Sequence, residues 1–137
     1  MLGLANTVSS SSTPESKYSL DFDGNDDYVS LGPSNGIMSS QSEATLSVWI
    51  KTEATNNGTY IFQNQRAGGS TSFGLRFQAA TNGLVEAIIC SNNSTPSHSN
   101  PLSTTDVTDN NWHHIVITGK ASEQKIYVDG SLEDTHT

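Results

Sequence analysis

Asn111-Trp112-His113-His114-Ile115-Val116-Ile117-Thr118, followed by Gln124-Lys125-Ile126-Tyr127-Val128-Asp129-Gly130-Ser131-Leu132, is the stretch that decides the fold. Asp129-Gly130 stands between two short runs, Ile126-Tyr127-Val128 and Ser131-Leu132. An Asp-Gly pair in that setting is the strongest short-range sign of a two-residue β-hairpin, because both central residues must take positive φ. Asn57-Gly58 and Asn82-Gly83 also precede apolar runs and read as similar turns.

Working outward, short apolar runs alternate with turn residues and no long helical period appears. Leu46, Val48 and Ile50 share one face of a strand, with Ser47 and Trp49 on the other. Phe73, Leu75 and Phe77 share a face, with Arg76 opposite. Period-two alternation gives each strand one buried side. The strands predicted are Tyr18–Phe22, Tyr28–Leu31, Ala44–Lys51, Tyr60–Gln63, Phe73–Ala79, Leu84–Ile89, Trp112–Thr118, Gln124–Val128 and Ser131–Asp134. Together they make an all-β, antiparallel β-sandwich. Residues 1–16, with Ser9 to Ser12 and then Thr13-Pro14, read as a flexible Ser-rich arm, and residues 17–137 as one domain. Ser91 to Pro101 is polar, without apolar period, and reads as a long loop.

The composition excludes several classes. The 137 residues suit one domain with its own core. Fourteen acidic against six basic side chains set the net charge at −8, which repels phosphate backbones and anionic lipid surfaces. Neither a nucleic acid nor a membrane is therefore an expected partner. No apolar stretch approaches the ~20 residues needed to span a bilayer. Met1 to Ser16 lacks the basic and apolar regions of a secretory signal. The compartment is left unknown, with a virion or the cytoplasm before assembly both compatible. Cys90, the single cysteine, ends the apolar run from Val85 and reads as a buried, inert thiol.

Three segments resemble the laminin G-like and pentraxin-like jelly rolls of the concanavalin A-like type. They are Ser19-Leu20-Asp21-Phe22-Asp23-Gly24-Asn25-Asp26-Asp27-Tyr28-Val29, then Ala44-Thr45-Leu46-Ser47-Val48-Trp49-Ile50-Lys51, and the opening stretch through Val128-Asp129-Gly130. Their order and spacing carry the resemblance from about Lys17 to Thr137. It implies a jelly-roll sandwich in which Trp112 is a core residue at a strand start. Domains of this kind usually continue past the Val-Asp-Gly hairpin with further strands that pair with the N-terminal one. Two readings of that departure stand side by side. In one, another chain, the N-terminal arm or oligomerisation completes the sheet; in the other, the reading frame is truncated.

Asp21, Asp23, Asn25, Asp26 and Asp27 form the densest carboxylate cluster. Calcium needs six to eight oxygens. Asp23, Asp26 and Asp27 are the candidate Ca²⁺ ligands, weighed against a plain Asp-Gly turn with solvated carboxylates. His113 and His114 point to opposite faces of a strand and cannot share one ion. Glycosidases of this fold carry a Glu-x-Asp-x-Glu strand, which is absent here; Glu86 is acidic in mid-strand and reads as solvent-facing. Trp49, Tyr60 and Arg76 are the candidate ligand-binding residues for a sugar, with core packing favoured over sugar contact for Trp49. The sequons at Asn57, Asn92 and Asn93 read as chance occurrences in polar loops.

The expected function is a non-catalytic module that binds carbohydrate or a protein surface, with Ca²⁺ as a candidate cofactor. The alternatives are a structural virion protein, either capsid decoration or fibre component, and a glycoside hydrolase or lyase of the same fold. The expected partners are a glycan or protein surface, and an oligomer or partner chain that completes the sheet.

Overall fold

The computed structural model describes residues 18–32, 43–53, 58–65, 71–79, 81, 83–89, 100–120 and 122–137. The Ser-rich arm, Asn57, Asn82, Cys90 and the loop residues 91–99, with their sequons, lie outside the described residues. The chain divides into two units, Met1–Ser30 and Leu31–Thr137.

The larger unit is all-β among its described residues. Its strands are β1 (Glu43–Ile50), β2 (Tyr60–Gln65), β3 (Thr71–Phe77), β4 (Val85–Ile89), β5 (His113–Lys120), β6 (Glu123–Val128) and β7 (Ser131–His136). They form a four-stranded sheet in the order β1-β5-β6-β7 and a three-stranded sheet in the order β2-β3-β4. Every pairing is antiparallel. These seven strands match seven of the nine predicted from alternation.

The inner faces are the apolar stripes that the sequence displays. Phe73, Leu75 and Phe77 of β3, with Val85 and Ala87 of β4, pack in one core cluster with Ile115 and Ile117 of β5 and Ile126 and Val128 of β6. Burying one such side chain contributes about 1.5–3 kcal/mol. Phe62 meets Phe73 edge-on, with ring centroids 6.2 Å apart. Gly119 in β5 is a point of close approach between the sheets: a Cβ there would lie 2.8 Å from Ile89 Cδ1.

The Asp129-Gly130 hairpin forms as predicted. Val128 faces Ser131, and the two turn residues have φ of 51° and 83°. These are the signs of a type I′ turn, whose twist matches that of the strands.

Residues 100–108 tie one sheet to the other. Ala87 donates to the Pro101 carbonyl and Ser103 donates to the Val85 carbonyl, so this connection extends the β4 edge. Its own backbone is bound from β7: Leu102 N–H donates to Asp134, and Thr104 and Thr105 N–H donate to Glu133. Pro101, Ser103 and Val107 are buried, which the polar composition of this region did not suggest.

The predicted strands Tyr18–Phe22 and Tyr28–Leu31 do not form: residues 18–32 belong to neither sheet. Tyr18, Leu20, Phe22, Tyr28, Val29 and Leu31 are all exposed. Alternation specifies a strand only where a ladder and a buried face receive it, and neither receives these residues.

Candidate ligand-binding face

The outer face of the four-stranded sheet follows from the β1 pattern. Ala44, Leu46, Val48 and Ile50 form a continuous apolar stripe and pack against the core. Glu43, Thr45, Ser47 and Trp49 must then face outward, and all four are exposed. The expectation that Trp49 belongs to the core is therefore corrected: it is 50% exposed. Four small and branched apolar residues took the inner face, leaving the indole outside.

Trp49 lies directly opposite His114 of β5. The two rings stack with centroids 4.8 Å apart and planes at 20°. The Ser47 hydroxyl lies 2.7 Å from His114 Nε2, so the imidazole is held between a hydroxyl and an indole. The neighbouring row across the sheet is Ser47, Val116, Tyr127 and Leu132, and Leu132 is 52% exposed. Trp112, two residues before His114, is 51% exposed and not the core residue that the family resemblance implied. It precedes β5, so no ladder carries its ring into the interior.

His113 points the other way and is buried at 8% exposure. Its Nδ1 lies 2.8 Å from Asp129 Oδ2 and its Nε2 lies 3.0 Å from Asp109 Oδ1. A carboxylate only accepts, and a neutral imidazole has one N–H. Hydrogen bonds at both nitrogens therefore require the imidazolium. Desolvation by burial opposes that charge, but the bonds to Asp129 and Asp109 outweigh it and hold the His113 pKa above its ordinary 6.5. Hydrogen bonds from Asn111 and His113 bring Asp109 down to about 2. Asp129 also fixes the next residue: its Oδ1 accepts the His114 N–H at 2.8 Å. As expected, the two histidines do not converge on one ion.

The signs give a pH prediction. The raised His113 contributes stability that is fully present below pH 6.5 and lost as pH rises through its folded pKa. The lowered Asp109 contributes stability present above 3.8 and lost as pH falls toward about 2. Thermal melts should be flat between those limits and decline on the alkaline side. A His113→Asn variant should be less stable and lack that alkaline decline.

The other two sugar candidates lie on the three-stranded sheet. Tyr60 of β2, Arg76 of β3 and Glu86 of β4 form one row across it. Arg76 sits over the Tyr60 ring at 5.7 Å and its Nε donates to Glu86 Oε1 at 2.5 Å. Asn100 donates to the other Glu86 oxygen at 3.3 Å. Glu86 is 7% exposed, which corrects the expectation of a solvent-facing residue. Its cross-strand partner made burial tolerable. Tyr60 and Arg76 are thus brought together, and Trp49 belongs to the other sheet. With both oxygens engaged, Glu86 is poorly placed as a nucleophile or proton donor.

In the N-terminal unit, Asp23, Asp26 and Asp27 come together with one oxygen from each within 4.8 Å of the others. All three are exposed. Asp23 Oδ1 accepts the Asn25 N–H at 2.8 Å, the main cause of its lowered pKa, and Asp27 Oδ2 accepts the Asp23 N–H at 3.0 Å. The turn geometry accounts for Asp23 as expected. The oxygen chemistry suits Ca²⁺, and the three carboxylates would supply three of its six to eight ligands.

Comparison with curated proteins and with solved structures finds no match. A family model, Laminin_G_3, described as the concanavalin A-like lectin/glucanases superfamily, matches residues 23–137. With two antiparallel sheets and that match over most of its length, the chain belongs to the laminin G-like branch of the concanavalin A-like lectin/glucanase superfamily.

Proposed function

We propose that this domain is a non-catalytic carbohydrate-binding module whose ligand lies on the outer face of the four-stranded sheet. The observation that carries the reading is Trp49: a half-exposed indole on a rigid strand, fixed by its stack on His114. An aromatic ring so held offers an apolar surface to the C–H face of a pyranose at little cost in side-chain entropy. Ser47 and His114 supply polar groups beside it for the sugar hydroxyls. Tyr60 and Arg76 satisfy one another and Glu86, so they support this role less well than Trp49 does.

Binding to a printed glycan array, followed by isotherms on the selected glycan, tests the reading. Trp49→Ala is expected to weaken binding at least about tenfold while changing stability by no more than about 1 kcal/mol. Unchanged affinity in that variant would move the site elsewhere. An array without signal, together with concentration-dependent assembly, would favour the structural role.

Calcium at Asp23, Asp26 and Asp27 is a separate part of the proposal, supported by the convergence of three carboxylates. Titration calorimetry with Ca²⁺ should show one weak site, lost in Asp26→Asn/Asp27→Asn. No heat from the native protein at millimolar Ca²⁺ would remove this part.

A further inference from the structure

We propose that the His113 imidazolium, clamped between Asp109 and Asp129, positions the Trp49–His114 platform, so that the ligand-binding face depends on the charge of His113. The inference rests on the sugar-binding reading for its ligand and on geometry for its coupling.

The coupling runs through one carboxylate. Asp129 uses Oδ2 to accept from His113 and Oδ1 to accept the backbone N–H of His114. Its own N–H donates to the His114 carbonyl at 2.8 Å. The backbone of His114 is therefore gripped on both sides by the residue that the imidazolium holds. The side chain of His114 in turn stacks on Trp49. On its far side His113 holds Asp109, whose carboxylate also accepts from the Asn111 backbone and side-chain amides. Asn111 precedes Trp112, so the same imidazolium anchors both ends of the Trp112-His113-His114 entry to β5.

Loss of the proton leaves His113 with one N–H for two carboxylates. Either Asp109 or Asp129 then faces a nitrogen lone pair in a buried setting, an arrangement that repels. The charged groups around His113 are Asp106 and Asp109 on the preceding connection, Asp129 on the β6–β7 turn, and the adjacent His114. The three carboxylates favour the imidazolium. Lys51, two residues beyond Trp49, is an exposed cation following the opposite strand. Because the pKa of His113 is raised above 6.5, the clamp is intact at mildly acidic pH and opens on the alkaline side.

Two readouts on the intact chain test this. In the first, NMR follows the His113 imidazole and the Trp49 indole together between about pH 5 and 9.5. The expected result is that His113 titrates above 6.5 and that the Trp49 resonance shifts with the same midpoint. His113→Asn, which cannot titrate, should abolish that shift, and Asp129→Asn should uncouple the two groups. A Trp49 resonance that is flat while His113 titrates, or one that keeps its profile in His113→Asn, overturns the proposal. In the second, a printed glycan array is probed at about pH 5.5 and pH 9. Signal should fall about tenfold in the native protein, the scale of one charged hydrogen bond, and stay level in His113→Asn. Equal falls in both proteins contradict the positioning role. An array silent at both pH values overturns the sugar reading and the ligand half of this inference, while the Trp49 resonance still decides the coupling.

Discussion

Arg76→Ala is expected to destabilise the domain by about 3 kcal/mol in urea unfolding. The guanidinium is itself partly exposed, with its side chain at 30%, but Glu86 beneath it is not, at 10%. Removing one partner of a buried ion pair leaves an uncompensated charge, at a cost of about 3–5 kcal/mol. The exposure of Arg76 and the remaining bond from Asn100 place the expectation at the low end of that range. Loss of the stack over Tyr60 adds up to about 1 kcal/mol. Replacing both partners with apolar residues of similar volume, Arg76→Met with Glu86→Leu, should recover most of the loss. A single variant within about 0.5 kcal/mol of the native protein, the range of an ordinary surface substitution, would show that the pair is not buried as described.

Leu75→Ala should cost about 3–5 kcal/mol. Leu75 is fully buried at the centre of the middle strand of its sheet, and it lies in the cluster that joins Ile115, Ile117 and Ile126 from the other sheet. Truncation removes transfer energy and leaves a cavity that two packed sheets cannot easily close. A loss of that size is a large part of the roughly 5–15 kcal/mol that holds a domain folded. Ile89 offers the contrast: it is only partly buried at the end of β4. Ile89→Val should cost about 1 kcal/mol or less. If Leu75→Ala cost no more than Ile89→Val, the sandwich core would lie elsewhere.

The fold was readable wherever a local rule and a global one agreed. Asp129-Gly130 specified its turn through φ alone, and Phe73, Leu75 and Phe77 specified an inner face through alternation. Tyr18 to Leu31 shows the limit of that logic. Its alternation is as good as that of β1, but a strand also needs a neighbour, which composition does not supply. Trp49 and Trp112 misled for a related reason. Tryptophan is usually mostly buried, so hydrophobicity assigned both to the core, whereas the side of the sheet is decided by which stripe packs best. Glu86 misled in the opposite direction, because its partner Arg76 is ten residues away and becomes a neighbour only through the β3–β4 register.

The candidate site was half legible. Trp49 was singled out, but its support was not, since His114 faces it only through the β1–β5 register. The clamp on His113 had one local signal, Asp109 four residues before it. Its second arm, Asp129, reaches it only because the hairpin brings that turn to the start of β5. The three aspartates from Asp23 to Asp27 were legible as a cluster because their proximity is built into the local chain.

Chemical-shift mapping during titration with the glycan selected on the array tests the central claim most directly. The account predicts that the perturbed residues are Ser47, Trp49, His114, Val116 and Tyr127, on the outer face of the four-stranded sheet. Perturbations centred on Tyr60 and Arg76, or confined to residues 18–31, would contradict it.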